Sequence, residues 1–183
     1  MMKLSLKTTA AVTAILLVTG CTAIPIDRYH VTADNQTRLK EFDVQMDVGQ
    51  FTADKSEKAI LCRFANNVEM SDGITIHEYL ESALIEELKM AGIYREGANI
   101  VINGHLNKVD VSSGLSDAHW TFDVSISNAK GQSFNVTHSR KYSASFLGGI
   151  ACQHDMPKSF LPTIQELIGK ILNHSQFDST FQK

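Results

Sequence analysis

Phe42, Val44, Met46 and Val48 alternate with Asp43, Gln45, Asp47 and Gly49. A period of two puts the apolar side chains on one face and predicts a strand with one wet face. Lys58 to Phe64 is a second short apolar run, carrying Cys62. The period then lengthens. Ile76, Tyr79, Leu80, Ala83, Leu84, Leu88 and Ala91 recur at helical spacing and predict an amphipathic helix. Thr75 and Glu78 form a capping box at its start, with Ile74 and Tyr79 as a hydrophobic staple. Gly92 followed by Ile93 suits a Schellman stop against Leu88. Glu81, Glu86, Glu87 and Lys89 fall on the solvated face.

Period two returns, irregularly, over Asn99 to Val111, where Gly104 suggests a bulge or a close backbone approach. Trp120, Phe122, Val124 and Ile126 then alternate cleanly with Thr121, Asp123, Ser125 and Ser127. Asn128-Ala129-Lys130-Gly131 is a turn, and Phe134, Val136, His138, Arg140 and Tyr142 continue as the returning strand of a hairpin. Trp120 belongs to the apolar set and is expected to anchor the core. A last helix starts near Pro157 or Pro162, with a stripe of Phe160, Leu161, Ile164, Leu167, Ile168, Ile171 and Leu172. The order ββαβββα predicts an α+β fold: a two-layer sandwich with an antiparallel sheet of about five strands and two helices packed on one face.

The N-terminus follows a different logic. Lys3 and Lys7 precede an apolar stretch of roughly nine residues, Ala10 to Val18, in the range of a signal h-region. It is shorter than the ~20 residues that span a bilayer as a helix. Leu17-Val18-Thr19-Gly20-Cys21 has the form of a bacterial lipoprotein signal, cut before Cys21, whose thiol then carries diacylglycerol. Thr22, rather than aspartate, follows the cysteine and favours the outer membrane with the domain facing the periplasm. Residues 1–20 are thus read as the signal, 21–40 as a flexible polar tether, 41–175 as one domain, and 176–183 as a frayed polar tail.

Removing the signal takes two of the 17 basic residues and none of the 20 acids, leaving a formal charge of −5. That balance argues against nucleic acid as a partner, since phosphate binding needs a basic footprint. With Cys21 lipidated, Cys62 and Cys152 remain. An even remainder in an oxidising compartment reads as a disulfide, with two buried free thiols as the alternative. Neither has the spacing of a zinc ligand.

The chain has no GxSxG elbow, HExxH pair, P-loop or dinucleotide fingerprint. Its seven histidines, at 30, 77, 105, 119, 138, 154 and 174, are scattered. His77 is expected to be exposed, and His119 and His138 could face each other across the hairpin. No catalytic residue, metal site or cofactor is assigned. The wet face of the hairpin is rich in hydroxyls (Thr121, Ser125, Ser127, Thr137 and Ser139) and could receive a partner.

Several stretches resemble a group of small uncharacterised lipoproteins and secreted proteins of Gram-negative bacteria, over roughly residues 42–172. They are Tyr79-Leu80-Glu81-Ser82-Ala83-Leu84 through Glu87-Leu88 to Ala91-Gly92-Ile93-Tyr94, Gly104-His105-Leu106 with Val109-Asp110, Ser112-Ser113, Trp120, Val124, Ser127-Asn128 to Gly131, Ser145-Phe146, Ala151-Cys152, and Gln165 to Lys170. The resemblance implies a folded domain, a bond between Cys62 and Cys152 and an envelope location, and it carries over no catalytic residue. The expected function is that of an outer-membrane lipoprotein, held to the membrane by its lipid and acting without catalysis as an interaction or assembly module on an envelope protein. The alternatives are a small-molecule or lipid-binding auxiliary of a transport system, and a hydrolase.

Overall fold

A computed structural model of the chain describes residues 25–63 and 66–181. The elements run α1 (Ala33–Leu39), β1 (Met46–Val48), β2 (Thr52–Ala53), β3 (Ala59–Cys62), β4 (Asn66–Glu69), α2 (Ile76–Met90), β5 (Ile100–Ser112), β6 (His119–Ser127), β7 (Ser133–Lys141), a short turn α3 (Gly148–Ile150), α4 (Met156–Leu172) and α5 (Phe177–Phe181). The fold is α+β. Five strands make one sheet, with β5, β6 and β7 antiparallel and both β1 and β2 pairing with β5 in parallel. The sheet is therefore mixed rather than wholly antiparallel. Single periodic runs report the face a strand buries, and they carry no information on the direction of its neighbour.

The second apolar run does not join this sheet. Among the described residues β3 pairs only with β4, as a separate antiparallel hairpin. It is held to the remainder by Ile60, Cys62 and Val68, all buried, and by a disulfide from Cys62 to Cys152 across 90 positions of sequence.

The helix ends follow their residues. Thr75 Oγ1 accepts from the Glu78 amide, and the Glu78 carboxylate accepts from the Thr75 amide at 2.6 Å. At the far end Gly92 takes φ +77°, which favours glycine. The Ile93 amide donates to the Leu88 carbonyl at 3.1 Å and that of Gly92 to Lys89 at 3.0 Å, the paired bonds of a Schellman stop. α4 starts beside the first of its two prolines. Pro157 occupies its first turn, Pro162 lies inside it, and a π-helical turn, Ala151–Asp155, joins it to α3.

One face of the sheet is dry. Trp120, Phe122, Val124 and Ile126 of β6 and Phe134 and Val136 of β7 meet Phe160, Ile164, Leu167 and Ile168 of α4, and α2 packs over β1, β2 and β5. Trp120 is fully buried, as its place in the alternation requires; its ring meets Phe160 edge-on and its Nε1 donates to Ser159 Oγ at 2.9 Å. Gly104 is a close approach: a Cβ there would lie 2.3 Å from the buried Phe51 ring. The register irregularity falls two residues later, between Leu106 and Lys108. Gly104→Ala forces Phe51 off its seat. We expect a loss of about 1–3 kcal/mol, read as a lowered urea midpoint at unchanged slope.

Two polar segments and one acidic side chain are more ordered than the sequence pattern suggests. Over its described part, the expected tether is structured: Ile26 is buried, its amide donates to the Glu69 carbonyl, and Thr32 caps α1. The expected tail forms α5, whose Phe177 and Phe181 are buried beneath Phe134. Glu87, assigned to the solvated face of α2, is fully buried because the N-terminal segment lies over it. It accepts from Tyr29 Oη at 2.6 Å, Asn35 Nδ2 at 2.8 Å, the Thr32 amide at 3.2 Å and Gln36 Nε2 at 2.5 Å.

Candidate interaction face

With the helices on one side, the outer side of β5–β6–β7 is left to solvent. Inner positions of β6 and β7 are buried and outer ones are half-buried or exposed, in strict alternation until Arg140. Cross-strand register arranges the outer side chains in rows: Asp110, Thr121 and Ser139; Lys108, Asp123 and Thr137; His105, Ser125 and Asn135; Asn103, Ser127 and Ser133. The five hydroxyl residues singled out from the sequence therefore do share one face. Many of its groups hold one another. Thr121 Oγ1 donates to Ser139 Oγ at 2.8 Å, and Asn107, at the irregularity, donates to Asp123 at 2.8 Å and Ser125 at 2.9 Å. The hydroxyl and amide side chains, with Lys108, Asp110, Asp123 and His105 among them, offer both donors and acceptors. β7 is an edge strand, with no pairing partner beyond β6 among the described residues.

His105 on this face makes a contact that the sequence did not reveal. Its Nδ1 lies 2.7 Å from Thr52 Oγ1 and its Nε2 lies 3.0 Å from Asp54 Oδ1. A hydroxyl, an imidazole and a carboxylate in series have the connectivity of an activated nucleophile. Thr52 and Asp54 reach His105 only because β2 pairs in parallel with β5, Thr52 opposite His105. A strand of two residues gives too short a run for periodicity to detect. His105 and Asp54 are substantially open to water here, so the relay lacks the dry setting that strengthens such interactions.

The other histidines lie apart. His119 pairs across the hairpin with Lys141, and His138 with Phe122, so the two do not face each other. His119 donates to the Asp117 carbonyl from Nδ1, and its Nε2 lies 3.2 Å from the Asp110 carboxylate; that carbonyl first, with Asp110 also contributing, raises its pKa. His77 is half-buried rather than exposed, 3.3 Å from Thr75 Oγ1. His138 is on the dry side, buried beneath α4, 3.0 Å from Glu166, which also pairs with Arg140. Burial first, then Lys170 and Arg140, push its pKa down to about 4.

The sign of that shift fixes a pH dependence. Above the unfolded value of about 6.5 both states hold neutral imidazole. Between about 6.5 and 4 only the unfolded chain takes up the proton, so stability falls as pH falls, and the loss levels off below the folded value. We expect a loss on the order of 2–3 kcal/mol from this group over that window, visible in urea unfolding as the difference between the protein and His138→Gln.

Cys21 lies outside the described residues. Among those described, no helix is long and apolar enough to cross a membrane, and no three His, Cys, Asp or Glu side chains gather as metal ligands would. The concavities are open surface grooves, and the space between sheet and helices is filled by the aromatic cluster of Tyr79, Trp120, Phe122 and Phe160.

No family model matches this chain, and no curated protein matches it. Among solved structures it is similar to a crystal structure from Xanthomonas campestris, of a protein in the DUF330 family, with a TM-score of 0.54 and 15% identity over 86% of this chain and 99% of that one. It is also matched to a candidate lipoprotein from Caulobacter crescentus, with a TM-score of 0.33 and 15% identity over 76% of this chain and 90% of that one. The first likeness shows a shared fold and, at that identity, no shared activity. The second, at its score, carries no argument.

Proposed function

We propose that this chain is a lipoprotein of the bacterial envelope, anchored in the outer membrane through Cys21, whose domain docks a partner protein without catalysis. The observation that carries the reading is the outer side of β5–β6–β7. Two strands of nine residues each present a row-ordered surface, rich in hydroxyls and amides, that no helix among the described residues covers. The lipid signal ending at Cys21 supplies the location.

A photoreactive residue in place of Thr137 or Ser125 tests the docking role in living cells. One discrete adduct is expected, and it should vanish with Ser139→Arg while the unfolding curve stays unchanged. Absence of any adduct from both positions rejects docking through this face. Separately, Cys21→Ser should block incorporation of labelled palmitate and release the protein from membranes.

The Thr52–His105–Asp54 relay favours one competing reading, hydrolysis by an activated threonine. It requires turnover of an activated ester that Thr52→Ala abolishes, and rates at background with the intact protein eliminate it. A lipid-carrying auxiliary would need an apolar cleft between helices and sheet, and the packed aromatic cluster occupies that place.

A further inference from the structure

Six large apolar side chains stay exposed among the described residues, and five of them lie on three segments that meet at one end of the molecule. Leu61 is on β3, Leu115 is in the β5–β6 loop, and Phe146, Leu147 and Ile150 follow β7, at exposures from 47% to 80%. Arg63 fastens the three together. Its amide donates to Ser113 Oγ at 3.1 Å and its Nε to the Ser113 carbonyl at 3.0 Å. Its Nη1 donates to the Phe146 carbonyl at 2.9 Å and its Nη2 to that of Ser145 at 2.5 Å. The disulfide from Cys62 to Cys152 flanks the same junction. The backbone beneath these side chains is thus fixed, and their exposure is built in. Soluble surfaces seldom leave such a group of large apolar side chains together unless something covers it.

We infer that this end of the domain sits in the membrane interface, with Phe146, Leu147 and Ile150 entering the boundary between headgroups and acyl chains. The inference rests on the lipid anchor proposed above, and the length of the tether selects the bilayer over other occupants. Cys21 and Pro25, where the described fold begins, are four residues apart, a reach of at most about 14 Å. The next residue, Ile26, is bonded to Glu69 of β4. Glu69 pairs with Ala59, two residues along β3 from Leu61, a rise of about 7 Å. An acylated Cys21 therefore cannot hold the domain clear of the headgroups. The chain leaves the fold on the same hairpin that carries one edge of the apolar patch. Large apolar side chains on a surface lying against a bilayer are drawn into its interface by the area they bury.

The test uses the full protein, processed in cells, purified and returned to vesicles of phosphatidylethanolamine and phosphatidylglycerol with a nitroxide on the acyl chain. An environment-sensitive fluorophore is placed at Leu147→Cys and, as a control in the β6–β7 turn at the opposite end of the sheet, at Lys130→Cys. We expect blue-shifted, strongly quenched emission at position 147 and unquenched emission at 130. Adding Phe146→Glu and Ile150→Glu should return the label at 147 to water without altering unfolding. Emission at 147 matching that at 130, in protein whose N-terminal peptide carries the acyl mass, overturns the inference and leaves the lipoprotein reading intact. A label in water on vesicles but shielded in native envelope membranes also overturns it, and assigns the patch to a protein. An N-terminal peptide without acyl mass overturns both.

Discussion

Replacing Cys62 and Cys152 together by alanine lowers the free energy of unfolding by about 4–5 kcal/mol, the largest single loss expected in this domain. The size comes from the 90 positions between the two cysteines: breaking the bond returns a long loop to the unfolded ensemble. The location adds a second effect. Among the described residues the β3–β4 hairpin has no strand partner in the main sheet, so its attachment rests on a few buried side chains, the hydrogen bonds of Arg63 and of the Glu69 carbonyl, and this bond. Urea unfolding of the double variant should show the loss at equilibrium. Hydrogen exchange should show the amides of β3 and β4 opening first, while those of β5–β6–β7 remain protected. A loss below about 1 kcal/mol would place the bond in a region already fixed by other contacts and contradict this account.

Glu87→Ala should be nearly as damaging, at about 3–5 kcal/mol. The carboxylate collects donors from Tyr29, Thr32, Asn35 and Gln36 in a site closed to water. Each donor left buried without an acceptor costs about 1–3 kcal/mol, reduced where water can enter the vacated space. Glu87→Gln keeps the shape but sets an amide against the Gln36 amide or the Tyr29 hydroxyl, and should fall between the two. Fluorescence unfolding of the three proteins measures the series. In the alanine variant, proteolysis should begin within residues 25–40, because those residues lose their shared acceptor. If Glu87→Ala melts like the parent, the node contributes no net stability.

Glu87 also marks where pattern reading ends. Its position on α2 is on the polar side of the stripe, and a periodicity argument assigns that side to solvent. Nothing local says that a segment some 50 residues earlier will cover it. The helix itself, its capping box, its glycine stop, the hairpin and the burial of Trp120 were legible, because each depends on residues within a few positions of one another. The parallel pairing of β1 and β2 with β5 was not legible, because register between distant strands leaves no trace in either one. α5 left a weak trace: Phe177 and Phe181 stand four apart within a polar stretch. The hydroxyl face was visible as a composition of outer positions. The Thr52–His105–Asp54 contact was not, since it exists only through the parallel register.

That same parallel register sets an order of events during biogenesis. β1 finds its partner 54 positions further on, Met46 opposite Ile100, whereas β5, β6 and β7 pair with neighbours joined by short loops. Local hairpins close quickly and distant pairings slowly. A chain emerging N-terminus first would therefore hold β1 and β2 unpaired until β5 arrives. Cys62 would wait longer still, as a free thiol, until Cys152 follows. The antiparallel meander is then the template on which the older part of the chain is assembled last, and the disulfide records that assembly is complete.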